Sequence, residues 1–600
     1  MASLYNDASL VMIPSAYKDD KLYSIKPTDG SGDFTFSRDG AGASPATRVN
    51  ASGLIEKGRT NEITYSNDFS NADWDKNLVS VSSGETDKDG GTDAWRLTAN
   101  SGGLFRRLSQ TTTQNAVLTT SVYAKAGTAD HLYIVHTGGS YLSGGYQFYD
   151  LTNGTLGASS FAQIIHSSIE SVGNGWYRCI LVSEAAASAQ CYFGLSDNDT
   201  DSTITSGNYI YIQDAQLEAG LVATAPAIET TTAPVSAGLL GDMPRLDYSS
   251  GATCPSLLLE PSRVNLLPHS EYVGANATVA GPVINYNYDI SPEGVQNAFQ
   301  WVDNDAAQFP RFKIVKTGLS AGTTYSMSMF IKKAGSAVST YTGFGMIWQG
   351  GTQNANYIIF DEYNGTATIL QDQSGNTTTK VEDFGDYWRF STTATDAGSN
   401  NSFDASFYGC LSANGTTVGV GTKTYIGYGA QVEEGSYPTS YIPTYGSAST
   451  RGADSQTLDI TNFVSATEGT LFFELKDVRS HSVTNKILGI GDGSGVDNFF
   501  GLYVSNFETG AVGIRNRQAN ADLMNTAIPN PQNAKVAIKF GASGVKTFLN
   551  GSEFQSSSTA YTGWATSFDL NTSSGDVDLK KHLLFPTALT DAECINLTTL

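Results

Sequence analysis

The chain has 600 residues with 62 Gly, 30 Tyr and 28 Phe, and a net charge of −23. A chain this acidic, without Lys/Arg clusters, is not a phosphate-tracking nucleic-acid binder, and no apolar stretch reaches the length of a membrane span. Strand and turn formers dominate while long Ala, Leu, Glu and Lys runs are absent, so the expected class is all-β, with about four units at roughly 150 residues each.

Residues 1–33 read as an N-terminal docking arm. Ser15-Ala16-Tyr17-Lys18-Asp19-Asp20-Lys21 and Pro27-Thr28-Asp29-Gly30-Ser31-Gly32 are turn material around one short apolar run. Such an arm has no core, so it is expected to dock on the first repeat, a neighbouring subunit or a larger assembly. Its start lacks a cationic region and a signal-peptide apolar core, so synthesis in a cytoplasm without secretory export is expected.

The middle of the chain repeats itself. Leu54-Ile55-Glu56-Lys57-Gly58-Arg59-Thr60-Asn61 returns as Leu258-Leu259-Glu260-Pro261-Ser262-Arg263-Val264-Asn265, and Lys125-Ala126-Gly127 as Lys333-Ala334-Gly335. Asp150, Asn153-Gly154 and Trp176-Tyr177-Arg178 return as Asp361, Asn364-Gly365 and Tyr387-Trp388-Arg389; Ala215-Gln216-Leu217-Glu218 returns as Ala430-Gln431-Val432-Glu433. The partners lie 204 to 215 residues apart in unbroken order, which is a duplicated domain and not a short-period solenoid. Residues 34–232 and 233–452 are therefore expected to be two copies of one jelly-roll sandwich. Asn153-Gly154 and Asn364-Gly365 carry the signal of a type I′ hairpin turn, which needs positive φ at both positions.

From 453 to 600 the pattern changes to a third sandwich. Gly469–Leu475, Lys535–Phe540 and Lys546–Leu549 alternate as half-buried strands. Asn550-Gly551 turns a hairpin, and Thr590 with Glu593 forms a capping box that opens a short helix.

The strands around Asn550-Gly551, with the closing Leu584-Phe585 and Ala588-Leu589-Thr590-Asp591-Ala592-Glu593, resemble the laminin-G/concanavalin A-like sandwich of bacterial surface and phage proteins. Asp33-Phe34-Thr35-Phe36-Ser37-Arg38, Pro244-Arg245-Leu246-Asp247-Tyr248 and Tyr441-Ile442-Pro443-Thr444 resemble segments of tailed-phage structural proteins, where they border carbohydrate-binding-module-like jelly rolls. The resemblance implies a virion fibre, head-decoration or tail-adhesion subunit. It would be anchored through its N-terminal region to other virion proteins and would attach to host surface glycans through its exposed C-terminal sandwich. A homotrimer is the expected assembly. A purely structural decoration or fibre-shaft protein is the alternative, and a polysaccharide depolymerase the second.

No catalytic constellation is recognisable. His131, His136, His166, His269, His481 and His582 form no metal-ligand spacing, and there is no Gly-x-Ser-x-Gly elbow. The chain is expected to be neither an enzyme nor a metalloprotein. Five spread cysteines without CxxC spacing read as free thiols. Arg59/Arg263 and Arg178/Arg389, repeated with Glu56/Glu260 and Glu218/Glu433, suggest a buried Arg–Glu pair within each sandwich.

The ligand candidates are Trp176 and Trp388, as flat platforms for a sugar ring, and Asp492, Asp497 and Asn498 in the Gly-rich loop 492–498. That loop could offer oxygen ligands to Ca²⁺ but lacks the closing Glu of an EF-hand. Deleting residues 453–600 would, on this reading, leave the first two sandwiches folded.

Overall fold

The computed structural model describes residues 2–599 apart from 41, 43, 112–116, 138–144, 161–163, 185–189, 280–281, 304–309, 336–339, 411–422, 481–485, 494–496, 505–511, 530 and 572–574. His481 and the tip of the 492–498 loop lie outside the described residues. The fold is all-β. The described residues contain two α-helices, Ala2–Asp7 and Asp591–Thr598, and neither is long and apolar enough to cross a membrane.

The duplication is a duplication of topology. One sheet of the first sandwich runs Ile164–Gly173, Trp176–Glu184, Val117–Ala126, Tyr209–Ala219, Ala94–Ala99, Val79–Glu85. In the second sandwich the same positions hold Thr378–Phe384, Tyr387–Thr395, Thr324–Lys332, Lys423–Glu434, Gln296–Asp303 and Val283–Ile290. The facing sheets agree as well: Thr155–Ser159, Tyr146–Asp150, His131–Thr137, Gln190–Ser196, Arg107–Thr111, Asp75–Asn77 against Thr366–Asp372, Asn354–Asp361, Tyr341–Gln349, Ser402–Cys410, Arg311–Thr317, Ala277–Val279. Inward residues of each pair of sheets meet in one apolar core, around Leu132, Phe193 and Ile212 in the first copy and Phe344, Phe407 and Trp348 in the second.

Even an irregularity is copied. The register between Val117–Ala126 and Tyr209–Ala219 slips between Ser121 and Tyr123, opposite Asp214 at φ 50°. The register between Thr324–Lys332 and Lys423–Glu434 slips between Ser328 and Phe330, opposite Gly429 at φ 61°. A bulge needs a left-handed residue to keep both flanking ladders paired, and glycine or a short polar residue adopts that conformation at least cost.

The third sandwich is assembled from three separate stretches of chain, and here the sheets depart from the segment boundaries read in the sequence. Gly575–Phe585 lies between Gly469–Ser480 and Ser256–Leu259, which in turn pairs Arg245–Asp247. Leu10–Met12 adds to Gly575–Phe585, with Leu10 opposite Leu584. In the other sheet, Tyr17–Lys18, Lys21–Leu22 and Phe34–Ser37 continue onto Ser455–Asp459 and Ser567–Asn571. The arm therefore docks on the last sandwich of its own chain, and not on the first repeat. Apolar burial explains why: Leu10, Met12, Leu22, Phe34, Phe36, Leu246, Leu257 and Leu259 belong to the same core as Phe473, Ile490 and Leu570.

The C-terminal helix has its expected start. The Thr590 side chain accepts from the Glu593 N–H while the Glu593 side chain accepts from the Thr590 N–H. Cys179, Cys191, Cys410 and Cys594 are buried free thiols, and Cys254 is an exposed one.

Candidate functional site

Two hairpins carry the chain into the two repeats, Thr47–Val49 with Ile55–Lys57 and Arg245–Asp247 with Ser256–Leu259. They lie against each other, because the Tyr248 N–H donates to the Val49 carbonyl at 2.9 Å and the Val49 N–H to Asp247 Oδ1 at 3.0 Å. Around them the chain buries a closed set of charges. Arg245 donates to Glu260 at 2.6 Å and to Asp454; Arg451 reaches Glu260 at 2.9 Å and Arg38 reaches Asp454 at 3.0 Å. Burial alone would raise the Glu260 carboxyl, but Arg451 and Arg245 hold it far below the carboxylate range.

A second buried set joins the copies. Lys57 lies 2.6 Å from Glu271 and 2.5 Å from Glu293, and Arg59 lies 2.7 Å from Glu293. The expected Arg–Glu pairs within each sandwich are thus not the ones formed. Arg59 crosses to the other copy, and Arg263 gives its Nη1 to the Ser262 carbonyl, with its guanidinium 5.5 Å from the Tyr437 ring centroid. Arg178 and Arg389 clamp the exit strips instead, donating to the carbonyls of Thr224 and Thr439 and to the hydroxyls of Ser121 and Ser328. Glu218 and Glu433 accept the N–H and hydroxyl of the same two threonines. Covalent spacing shows that these residues repeat but carries no sign of which distant element each one meets.

Where the hairpins face the second sandwich they leave a groove of about 450 Å³. Leu54, Tyr248, Ile290 and Phe384 give it apolar surface, and Asp383 and Asp386 stand exposed among its lining. The groove is made of loop turns. Gly53, Gly251, Gly294 and Gly385 line it, all at positive φ. At Gly294 a side chain would also collide with Leu54, a Cβ there lying 2.8 Å from Leu54 Cδ1. Hydrogen bonds from Tyr387 Oη to the Ile290 carbonyl at 2.7 Å and from the Ile55 N–H to the Pro292 carbonyl at 2.9 Å fix the walls. Flat apolar faces beside carboxylate acceptors on fixed loops are what a sugar ring needs, with its C–H faces to cover and its hydroxyls to donate. The sequence offered no signal for this groove, since its walls come from residues near 50, 250, 290 and 385.

The residues singled out from sequence are not part of it. Trp176 is 0% exposed, packed with Ala94 and Tyr123, and so has no face for a ligand. Trp388 is half-buried: its Nε1 donates to the Glu362 carbonyl, Lys333 Nζ sits 4.0 Å from its ring centroid, and it packs on Gly365. Tyr177 packs on Gly154 in the same way. The alternation of the strand turned one ring of each pair inward and laid the other across the neighbouring hairpin. Asn498 donates to Asp492 at 2.7 Å and accepts from the Ala519 N–H, and the Asp497 carbonyl accepts from the Asn520 N–H. These bonds tie the described ends of the loop to each other and to Ala519 and Asn520. Among the described residues no group of three or more His, Cys, Asp or Glu is placed to hold a metal ion.

No family model and no curated protein matches the chain. Among solved structures, the N-terminal CBM22-1–CBM22-2 tandem domain of Paenibacillus barcinonensis Xyn10C aligns with 60% of this chain and 93% of its own, at 11% identity and a TM-score of 0.19. A TM-score of that size does not establish a common fold.

Proposed function

We propose that the chain is an exposed structural subunit of a tailed-phage virion that holds a host surface glycan in the junction groove, without cleaving it. The groove carries the proposal, because it combines apolar faces, the exposed carboxylates of Asp386 and of Asp383, which Lys333 holds at 2.7 Å, and rigid loops in a volume suited to one or two sugar rings. The virion setting rests on the phage-like segments in the sequence. The binding surface proposed here is the junction groove and not the 492–498 loop.

A glycan array followed by whole-cell adsorption tests this. Asp386→Ala, at an exposed groove position, is expected to weaken binding at least tenfold with an unchanged unfolding midpoint, and Tyr248→Ala to weaken it as much with a lowered midpoint, because that ring also packs on the core of the last sandwich. Release of reducing ends from host polysaccharide would mean a depolymerase instead. The two buried charge sets favour one competing reading, a pure scaffold, since they fasten the repeats and the last sandwich together. Absence of binding to any surface polymer would support that reading. Sedimentation of the full chain at micromolar concentration checks the expected trimer.

A further inference from the structure

The junction groove carries charge of one sign only. Its lining includes no Lys, Arg or His, while Asp383 and Asp386 stand exposed in it. Its other polar side chains are hydroxyls, among them those of Ser52, Ser250 and Tyr248. The lysines beside the groove are already engaged. Lys333 lies 2.7 Å from Asp383, and Lys332 lies 2.5 Å from Asp289, the residue before Ile290. Lys476 donates to Ser249 Oγ at 2.8 Å, but Asp578 at 3.0 Å and Asp247 at 3.7 Å balance its charge. Among the described residues Asp386 enters no ion pair, so one negative charge at the groove stays uncompensated. Recognition of a carboxylate or phosphate calls for a cationic side chain to meet it, above all an arginine fork. This lining offers none.

We infer that the groove ranks glycans by charge, taking amine-bearing sugars before neutral ones and rejecting acidic ones, with Asp386 as the specificity-determining residue; the inference rests on the glycan-binding reading above. A protonated sugar amine gains the attraction of the Asp386 carboxylate and donates to it. A neutral sugar donates its hydroxyls to the same oxygen atoms without the gain in charge. A uronate brings a second carboxylate to a place where every neighbouring lysine is spent. At a separation of about 5 Å in water, each unit of ligand charge changes affinity by roughly fourfold. The net charge of −23 acts in the same direction over the whole surface, so the local share has to be read from a change at Asp386 itself.

Calorimetric titration of the full chain decides the matter, in buffer of low ionic strength and mildly acidic pH, where sugar amines carry a proton. The probes are oligomers of glucosamine, glucose and glucuronate, and the galactose counterparts of the three. The expected order is amine, neutral, acid, in steps of roughly fourfold that shrink as salt is added. Asp386→Asn, which keeps a carbonyl acceptor and removes the charge, is expected to compress each step below about twofold. Lys333→Met, which uncovers the charge of Asp383, should widen the steps, and Asp199→Asn, an exposed position on the first sandwich, should leave them as they are. An acidic series that binds as tightly as the neutral one overturns the inference. So does an order that survives Asp386→Asn unchanged, since it then comes from the net charge of the chain. In both cases the groove itself stands if Asp386→Ala still weakens the neutral series. Binding of none of the six oligomers overturns the groove and its charge ranking together.

Discussion

Asp214 and Gly429 occupy the same bulge in the two sandwiches, and only one of them carries a charge. Burial pushes the Asp214 carboxyl up to about 6, although Lys88 lies 3.5 Å away. Because that value exceeds the unfolded one of about 3.9, the stabilising contribution is full below about pH 4 and is lost as the pH rises through 6. Asp214→Asn keeps a residue that tolerates positive φ and removes the charge, so it is expected to stabilise the first sandwich at pH 8 by about 2 kcal/mol. It should also flatten the slope of thermal stability between pH 4 and 7, which melting curves across that range would show. Glu293 acts in the opposite window. Burial would raise it, but Lys57 and Arg59 hold it at about 2, so its contribution is present above about pH 4.3 and is lost as the pH falls towards 2. Glu260→Gln, which leaves Arg245 and Arg451 short of a buried counter-charge, is expected to cost about 3–5 kcal/mol in urea titrations. The duplicated charges were visible in the sequence, but their partners were not: Arg59 pairs 234 residues away with Glu293, and nothing local marks such a distance.

Among the elements, the hairpin turns show how far a dipeptide can be read. Asn550 and Gly551 have φ of 48° and 83°, the two left-handed positions of a type I′ turn. At Asn153-Gly154 and Asn364-Gly365 only the glycine is left-handed, at 67° and 63°, so the type I′ expectation fails there. The reason is an aspartate ahead of each turn. Asp150 Oδ1 accepts from the N–H groups of Thr152 and Asn153, Asp361 Oδ1 from those of Tyr363 and Asn364, and the loop widens to a turn closed by Gly154 N–H to Asp150 O and Gly365 N–H to Asp361 O. Both aspartates were in the repeat, so the wider turn was legible once the side chain is counted as a turn former. Gly365→Ala is expected to cost roughly 2–3 kcal/mol, from backbone strain and from a Cβ that would lie 2.6 Å from Trp388 Cζ2. Asn364→Ala should cost under about 1 kcal/mol, because its backbone needs no left-handed conformation. Comparable losses for the two variants in denaturant titrations would refute this account of the turn.

At the scale of the molecule, composition and ordered repeats sufficed for the all-β class and the duplicated topology, since both are statistical properties of long stretches. Sheet membership was beyond them. Leu10–Met12, Phe34–Ser37 and Ser256–Leu259 look like any short apolar strands, and their register is set by a core that closes only in three dimensions. Deleting residues 453–600 would therefore expose Leu22, Phe34, Phe36, Leu257 and Leu259 together, and the fragment is expected to aggregate instead of leaving two folded sandwiches. A monodisperse, cooperatively unfolding 1–452 fragment in size-exclusion chromatography and calorimetry would contradict this. Removing residues 2–33 should likewise lower the melting temperature of the last sandwich. The pairing of Leu10 with Leu584 also puts a clock on biosynthesis. At roughly 5–20 residues per second, the Leu10–Met12 strand waits about half a minute to two minutes for its partner. During that interval an apolar strand edge is open to every neighbouring nascent chain on the same message. The burden of holding it falls on chaperones or on the acidic repulsion between chains, so yield in expression trials should depend on translation rate more than on the stability of the finished protein.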